Sequence, residues 1–451
     1  MSPHHDTIAA PATPAGTSAI AVVRISGPDT KRLVAAIAGS TPPPRHARHV
    51  DYRSIDGRLL DDVLITFFQG PRSYTGEDTA EISCHGNPFI AQSLLEDLFA
   101  RGCRPAAPGE FTQRAFLNGR MDLSQAEAVM DVISARSERA LTMAQQQLRG
   151  ALTRRMSGLV DGLLGVLARV EAYIDFPDED LPQEDRHWVA SEIQRLQSAT
   201  GKLLATSHYG EVLRGGLRTL IVGRPNVGKS SLLNRLVGYE RALVCPEPGT
   251  TRDFIEERLV AGPHSLRLMD TAGLNPTPAA LEKLGMDKTL ERVADADLFL
   301  VVIDSTDADA GVDPAVRNRL SPQNTVVVFN KTDLAPTAPL PAWTSEFRHV
   351  RVSAATAAGV DDLIAQVVQM ADGLQTTVGD ELIAVSARHA HALQEAGNSL
   401  AAATNKLQEG GPVELLASDL RAALEAYGEI AGKVDNERML DQLFATFCIG
   451  K

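Results

Sequence analysis

The hydrophobic pattern changes period along the chain. Up to about residue 120, β-branched and aromatic runs closed by glycine, such as SAIAVVRISG and DDVLITFFQG, predict strands, while NPFIAQSLLEDLFARG has helical spacing and a glycine stop. Beyond residue 121, apolar positions recur every three or four residues through LSQAEAVMDVISARSERALTMAQQQLRGALTRRMSGLVDGLLGVLARVEAYID, which predicts a long helical region. It breaks near DFPDEDLPQED and resumes through WVASEIQRLQSATGKLLATSHY. From LRTLIVG to about residue 375, strand and helix patterns alternate, and helical texture then returns in ELIAVSARHAHALQEAGNSLAAATNKL and VELLASDLRAALEAYGEI. The economical organisation is a mixed α and β segment over 1–120, a helical domain in two parts, 121–216 and 376–451, and an α/β domain inserted over 217–375. Insertion needs chain ends that lie close together, as α/β domains commonly provide.

Composition narrows the class. With 44% hydrophobic and 22% charged residues the chain has globular character, and no apolar run approaches the length of a membrane-spanning helix. The opening MSPHHDTIAAPATP has neither a basic stretch nor an apolar core, so no secretory signal is expected and a cytoplasmic location is. The net charge of −13 argues against nonspecific coating of nucleic acid. Residues 1–120 carry twelve charges of each sign, so the acidity lies downstream, and an RNA contact would fall on this arginine-rich first segment. Cys84, Cys103, Cys245 and Cys448 lack the close pairing of a zinc site or disulfide framework. The terminal FCIGK is a poor prenylation box, because Gly450 replaces an aliphatic residue, Lys451 is an unusual last residue and no polybasic run precedes it.

The inserted segment carries the chemistry. GRPNVGKSS places Gly223, Gly228, Lys229 and Ser230 in the spacing G-x-x-x-x-G-K-[ST], between the strand-like RTLIV and the helix-like SLLNRLVG. Backbone N–H groups there converge on phosphate oxygens, Lys229 neutralises their charge, and the Ser230 hydroxyl can ligate magnesium. DTAG, Asp270 to Gly273, follows the strand-like SLRLM and supplies an acid for the magnesium shell and an N–H for the γ-phosphate. NKTD, with Asn330, Lys331 and Asp333, follows TVVVF; an aspartate accepting from guanine's N1–H and exocyclic amine selects guanine over adenine. SAATAAG, Ser353 to Gly359, sits where a further base-contacting loop would fall. GTTRD, Gly249 to Asp253, occupies the place of a switch segment, where Thr250 or Thr251 can complete the magnesium sphere. Leu274 stands where Ras-like enzymes have a water-orienting glutamine, so another group must orient the nucleophile.

These motifs, taken with ATPAGTSAIAVVRISGP, SYTGEDTAEISCHGNP, RPAAPGEFTQRAFLNGRMDLSQAEAV, EAYIDFPDED and FCIGK, resemble the MnmE (TrmE) family of tRNA modification GTPases over essentially the whole chain. The resemblance implies an α+β N-terminal folate-binding domain that dimerises, a discontinuous helical domain and an inserted Ras-like P-loop GTPase domain. It implies a potassium-activated GTPase that works as a homodimer with the flavoprotein MnmG, in a heterotetramer, on tRNA. Together they would install an aminomethyl-type (carboxymethylaminomethyl) group at C5 of the wobble uridine, with a methylene-tetrahydrofolate as one-carbon donor. The nucleotide contacts it implies are Asn226, Val227, Gly228, Lys229, Ser230 and Ser231; Cys245, Pro246, Glu247, Pro248, Gly249, Thr250 and Thr251; Asp270, Thr271, Ala272 and Gly273; Asn330, Lys331 and Asp333; and Ser353 and Ala354. Magnesium would be held by Ser230 and Thr251, and potassium by Asn226 with the backbones of Cys245, Glu247 and Thr250. A fixed cation beside the β/γ bridge would stabilise the charge that develops there, in place of an arginine finger.

Within the same resemblance Glu282 positions the attacking water, so Glu282 and Lys229 are catalytic candidates, and Cys448 is either an active-site thiol or a packing residue. Arg24, Glu81, Arg120 and Lys451 match the folate positions, with cations for the glutamate tail and a carboxylate for the pterin's donor edge. Taken singly, such arginines would usually be surface ion-pair residues. Asn275 departs from the family's common arginine, and Arg120 stands where lysine also occurs. The alternative function is a regulatory Era-like GTPase that switches RNA or ribosome-assembly binding; the N-terminal segments and the terminal CIGK favour the enzyme.

Overall fold

Alternation along three strands sets the first sheet. On β2 (Ile20–Ser26), Val23 and Ile25 are fully buried and Arg24 points to the other face. Val63, Ile65 and Phe67 of β4 (Leu59–Phe68) and Ala80, Ile82 and Cys84 of β5 (Thr79–His85) face the same side as Val23 and Ile25. That side is covered by α1 (Thr30–Ala38) through Leu33 and Val34, and by α2 (Pro88–Ala100) through Leu94 and Leu98. Asn87 caps α2 by accepting from the Phe89 N–H at 2.9 Å. With β1 (Ile8–Pro11), β3 (Ala47–Arg53) and β6 (Arg104–Pro105), the sheet order is β3-β4-β5-β2-β1-β6, antiparallel except for the β1–β6 pair. Cys84 and Cys103 are buried free thiols. Burial pushes both thiols up, Cys103 to about 12, so neither is a nucleophile at neutral pH.

The computed structural model describes residues 6–175, 183–239, 256–270, 295–307, 312, 314–337, 339–373, 383, 385–431, 447 and 450. By contact density the chain divides into two units, 1–130 with 153–157 and 425–451, and 131–152 with 158–424. The predicted long helical region is three helices, α4 (Leu123–Ser134), α5 (Glu138–Leu148) and α6 (Ala151–Asp175). The first interruption is fixed by Ser137, whose hydroxyl caps α5 by accepting from the Ala140 N–H at 3.2 Å. Further on come α7 (Gln183–Leu204) and α8 (Ser207–Gly215).

In the second unit a six-stranded sheet is built from β7 (Leu217–Val222), β8 (Glu256–Ala261), β9 (His264–Asp270), β10 (Leu298–Asp304), β11 (Thr325–Asn330) and β12 (Arg348–Arg351). Its order is β12-β11-β10-β7-β9-β8, parallel except for the β8–β9 hairpin. Strands buried on both faces read as continuous apolar runs, as in LFLVVID and TVVVFN. The described helices include α9 (Lys229–Tyr239), α10 (Pro314–Arg317), α11 (Val360–Gly373), α12 (Ala387–Glu409) and α13 (Val413–Ala431). α12 packs against α7, where Gln197 donates to Thr404 at 3.2 Å. No described helix is long and apolar enough to cross a membrane.

A charged cluster on α3 (Glu110–Leu117) braces the first sheet. Arg114 is 1% exposed and binds Asp6 at 2.7 Å, Glu77 at 3.1 Å and Glu110 at 3.1 Å. Arg104 adds contacts to Glu110 at 2.6 Å and Asp6 at 2.7 Å. Burial pushes the Glu110 carboxyl up, but bonds from Arg104, the Ala107 N–H and Arg114 outweigh it and hold the group below its ordinary value. Because its folded value is depressed, Glu110 stabilises the fold above the unfolded carboxyl range, and this contribution falls as the pH drops below about 4. Removing the shared cation takes the arginine from Glu77 and leaves Asp6 and Glu110 to Arg104 alone. In urea unfolding of the full chain at neutral pH, Arg114→Met should cost the first sheet's transition about 3–5 kcal/mol, whereas wild-type stability would mean that the cluster does not brace the sheet.

Candidate functional site

β7 lies between β9 and β10, where the strand order reverses, and the segment after it opens at this switch point and leads into α9. Helix N-terminal N–H groups there favour anions. Gly228 has φ +96°, and a Cβ on it would sit 2.2 Å from the Asn330 amide nitrogen, so glycine is required. Lys229 is 8% exposed, and its ammonium spans the loop, donating to the Gly223 and Arg224 carbonyls at 3.0 and 2.9 Å. Asn226 takes a left-handed φ of +64° at the crown of the loop.

Asn330, 2% exposed at the end of β11, joins the predicted phosphate and base segments. Its Nδ2 donates to the Val227 carbonyl at 2.9 Å, and its Oδ1 accepts from the Ala354 N–H at 3.0 Å. Lys331 donates to the Asn226 carbonyl at 2.9 Å and to Asp304 Oδ2 at 2.7 Å. Burial raises the Asp304 carboxyl, but Lys331 and Thr306 outweigh it and keep the group below its ordinary value. The Ser353 hydroxyl donates to Asp333 Oδ1 at 2.6 Å and accepts from the Thr356 N–H at 3.2 Å, which fixes the carboxylate that would read a base. Arg235 of α9 donates to the Ala354 and Ala355 carbonyls at 3.0 and 2.9 Å.

Thus Asn226, Val227, Gly228, Lys229, Asn330, Lys331, Asp333, Ser353 and Ala354 form one bonded set, and Ser230 and Ser231 lie in the first turn of α9. β9 ends at Asp270, in register with Ile221 of β7, so its backbone reaches the same end of the sheet. Cys245, Pro246, Glu247, Pro248, Gly249, Thr250, Thr251, Thr271, Ala272, Gly273, Leu274, Asn275, Glu282, Cys448 and Lys451 lie outside the described residues. Asp304 and Arg235 escaped the sequence reading. The signal for Asp304 was its place at the C-terminal end of a parallel strand, where α/β ligand sites form.

On the first sheet, Arg24 and Glu81 are cross-strand partners on the face away from the helices, 2.8 Å apart. The Arg24 guanidinium lies 5.4 Å from the Tyr74 ring centroid and 5.7 Å from that of Phe111, and donates to the Gly450 carbonyl at 3.1 Å. Gly450 has φ +95°, and a Cβ there would come within 1.9 Å of the Pro11 carbonyl, so Gly450 approaches β1 more closely than a side chain would allow. Arg120 is exposed beyond α3, and among the described residues no hydrogen bond or ion pair joins it to Arg24 or Glu81.

A glycine-rich loop at the switch point of a parallel sheet, tied by Asn330 to an aspartate-bearing turn, defines a P-loop GTPase. Two family models match the chain, the GTP-binding protein TrmE N-terminus over residues 7–120 and the MnmE helical domain over 123–448. The chain is 60% identical over 452 residues to the tRNA modification GTPase MnmE of Opitutus terrae, covering 100% of both chains. Identity is 43% with the namesake of Akkermansia muciniphila, again over 100% of both, and 40% with that of Natranaerobius thermophilus over 99% of each. The chain belongs to the tRNA modification GTPase MnmE family.

Gly228→Ala should weaken binding of a fluorescent GDP analogue at least about tenfold, because the new methyl group displaces Asn330 or the loop. Unchanged affinity would show that the loop tolerates a side chain at this φ.

Proposed function

We propose that this chain is a potassium-activated GTPase that acts with the flavoprotein MnmG to install a carboxymethylaminomethyl-type group at C5 of the wobble uridine of certain tRNAs. The observation that carries the reading is the full-length 60% identity to a tRNA modification GTPase, in a chain whose Asp333 carboxylate is fixed beside a P-loop. In this reading residues 1–120 bind a methylene-tetrahydrofolate and dimerise, 121–216 and 376–451 form the helical domain, and 217–375 hydrolyses GTP. The working assembly is a cytoplasmic heterotetramer of a homodimer with MnmG.

The chain's own groups divide the labour. Backbone N–H groups of the loop and the Lys229 ammonium hold the phosphates, Asp333 accepts from guanine, and Glu282 orients the attacking water. Ser230 and Thr251 are the magnesium ligands. The hydroxyl at the start of α9 and the strand end at Asp270 suit a hard cation with oxygen ligands. Asn226, whose backbone is left-handed, would hold potassium with the backbones of Cys245, Glu247 and Thr250, and the ion would supply fixed positive charge against the charge that develops on the phosphates. Arg24, with two aromatic rings and Glu81 around it, offers a flat cationic and acceptor surface that suits a pterin and its anionic tail. In this reading Arg120 and Lys451 would also contact the folate, which would supply the one-carbon unit. Cys448 would serve either as an active-site thiol for the uridine chemistry or as a packing residue.

Deleting the gene should remove the carboxymethylaminomethyl-type nucleoside from digested tRNA, and the Asp333→Asn chain should fail to restore it; intact wobble uridine modification in the deletion would overturn the proposal. Replacing potassium by sodium should slow GTP turnover at least about tenfold, the scale of losing a fixed charge in the transition state, and equal rates would remove Asn226 from its role.

A further inference from the structure

At the outer edge of the first sheet, three adjacent strands bring two histidines and two aspartates together. Asp61 and Asp62 are the third and fourth residues of β4, His85 ends β5 and His49 lies on the edge strand β3. His85 Nδ1 lies 2.8 Å from Asp61 Oδ1 and 3.6 Å from Asp62 Oδ1, and one ligand atom from each of these three residues lies within 4.8 Å of the others. Two consecutive carboxylates therefore converge on one imidazole nitrogen, which has a single proton to offer.

We propose that Asp61, Asp62 and His85 form a binding site for a divalent transition metal of the zinc class, apart from the nucleotide and Arg24 sites. Tetrahedral zinc with bonds of about 2.0–2.1 Å separates its ligand atoms by about 3.3 Å, between the 2.8 and 3.6 Å that separate His85 Nδ1 from the two carboxylates. An imidazole nitrogen beside carboxylates suits zinc better than magnesium or calcium, which take oxygen. Each carboxylate is held by its other oxygen. Asp61 Oδ2 accepts from the His85 backbone N–H at 2.8 Å, and Asp62 Oδ2 meets His49 Nε2 at 3.1 Å. The Asp61 side chain is only 8% exposed, so it anchors the site, while the 67% exposed His85 leaves it open to solvent and a fourth, water ligand. Asp61 holds the His85 imidazolium proton more tightly than usual, and the metal must displace that proton on binding. A bound ion would cross-link β4 to β5.

The test is zinc titration calorimetry on the chelator-treated full chain in excess magnesium, beside a chain carrying Asp62→Asn and His85→Asn. Wild type should take up one more zinc ion per chain than the double variant, and His49→Gln should weaken that site about tenfold, as lost outer-shell partners do. Zinc should also raise the thermal midpoint of wild type and leave the double variant unmoved, which separates a site from adventitious thiol binding common to both chains. The substituted side chains are at least half exposed, so both variants should fold. Superimposable isotherms and midpoints would overturn the proposal and leave surface ion pairs only.

Discussion

The nucleotide site rests on one buried amide. Asn330 ends a parallel strand almost wholly out of solvent, and its two polar ends bond backbone groups from two other segments, Val227 and Ala354. A buried amide so placed is stiff, because breaking either bond leaves a desolvated partner unpaired. The loop proposed to receive phosphates is therefore held at a set distance from the turn proposed to receive the base. Lys331 repeats the tie on the rim through Asn226 and Asp304, and Ser353 holds Asp333. Glycine at 228 follows from the same contact, since the Asn330 amide occupies the space a side chain would need.

The first sheet applies the same logic with charge. Strand alternation sends Val23 and Ile25 inward and Arg24 outward, where it meets Glu81, two aromatic rings and the Gly450 carbonyl. The segment that carries Tyr74 is held through Glu77 by Arg114 from α3, the helix that also carries Phe111. In both places a polar side chain with almost no solvent joins segments far apart in sequence, and the functional groups sit on what it joins.

Local features were legible in the sequence. β2, β4, β7, β9 and β11 fall where apolar runs and bounding glycines predicted them, and the phosphate loop was read from its spacing. The subdivision into α4, α5 and α6 was not, because apolar spacing continues across a serine cap that costs the pattern nothing. Nor were the ties legible. Asn330 reads as a base-loop residue, and its bond to Val227 spans 103 positions. Arg114 was not singled out in the sequence, and its burial depends on where Asp6 and Glu77 end up. The His85 cluster is assembled only by register between β4 and β5.

The tie between the P-loop and the segment at Ala354 is Asn330. It is tested most directly by calorimetric titration of GDP into the Asn330→Ala chain. Two buried backbone groups lose their partner, each at about 1–3 kcal/mol, so affinity should fall by at least about tenfold. Binding within about twofold of wild type, at unchanged thermal stability, would contradict the account.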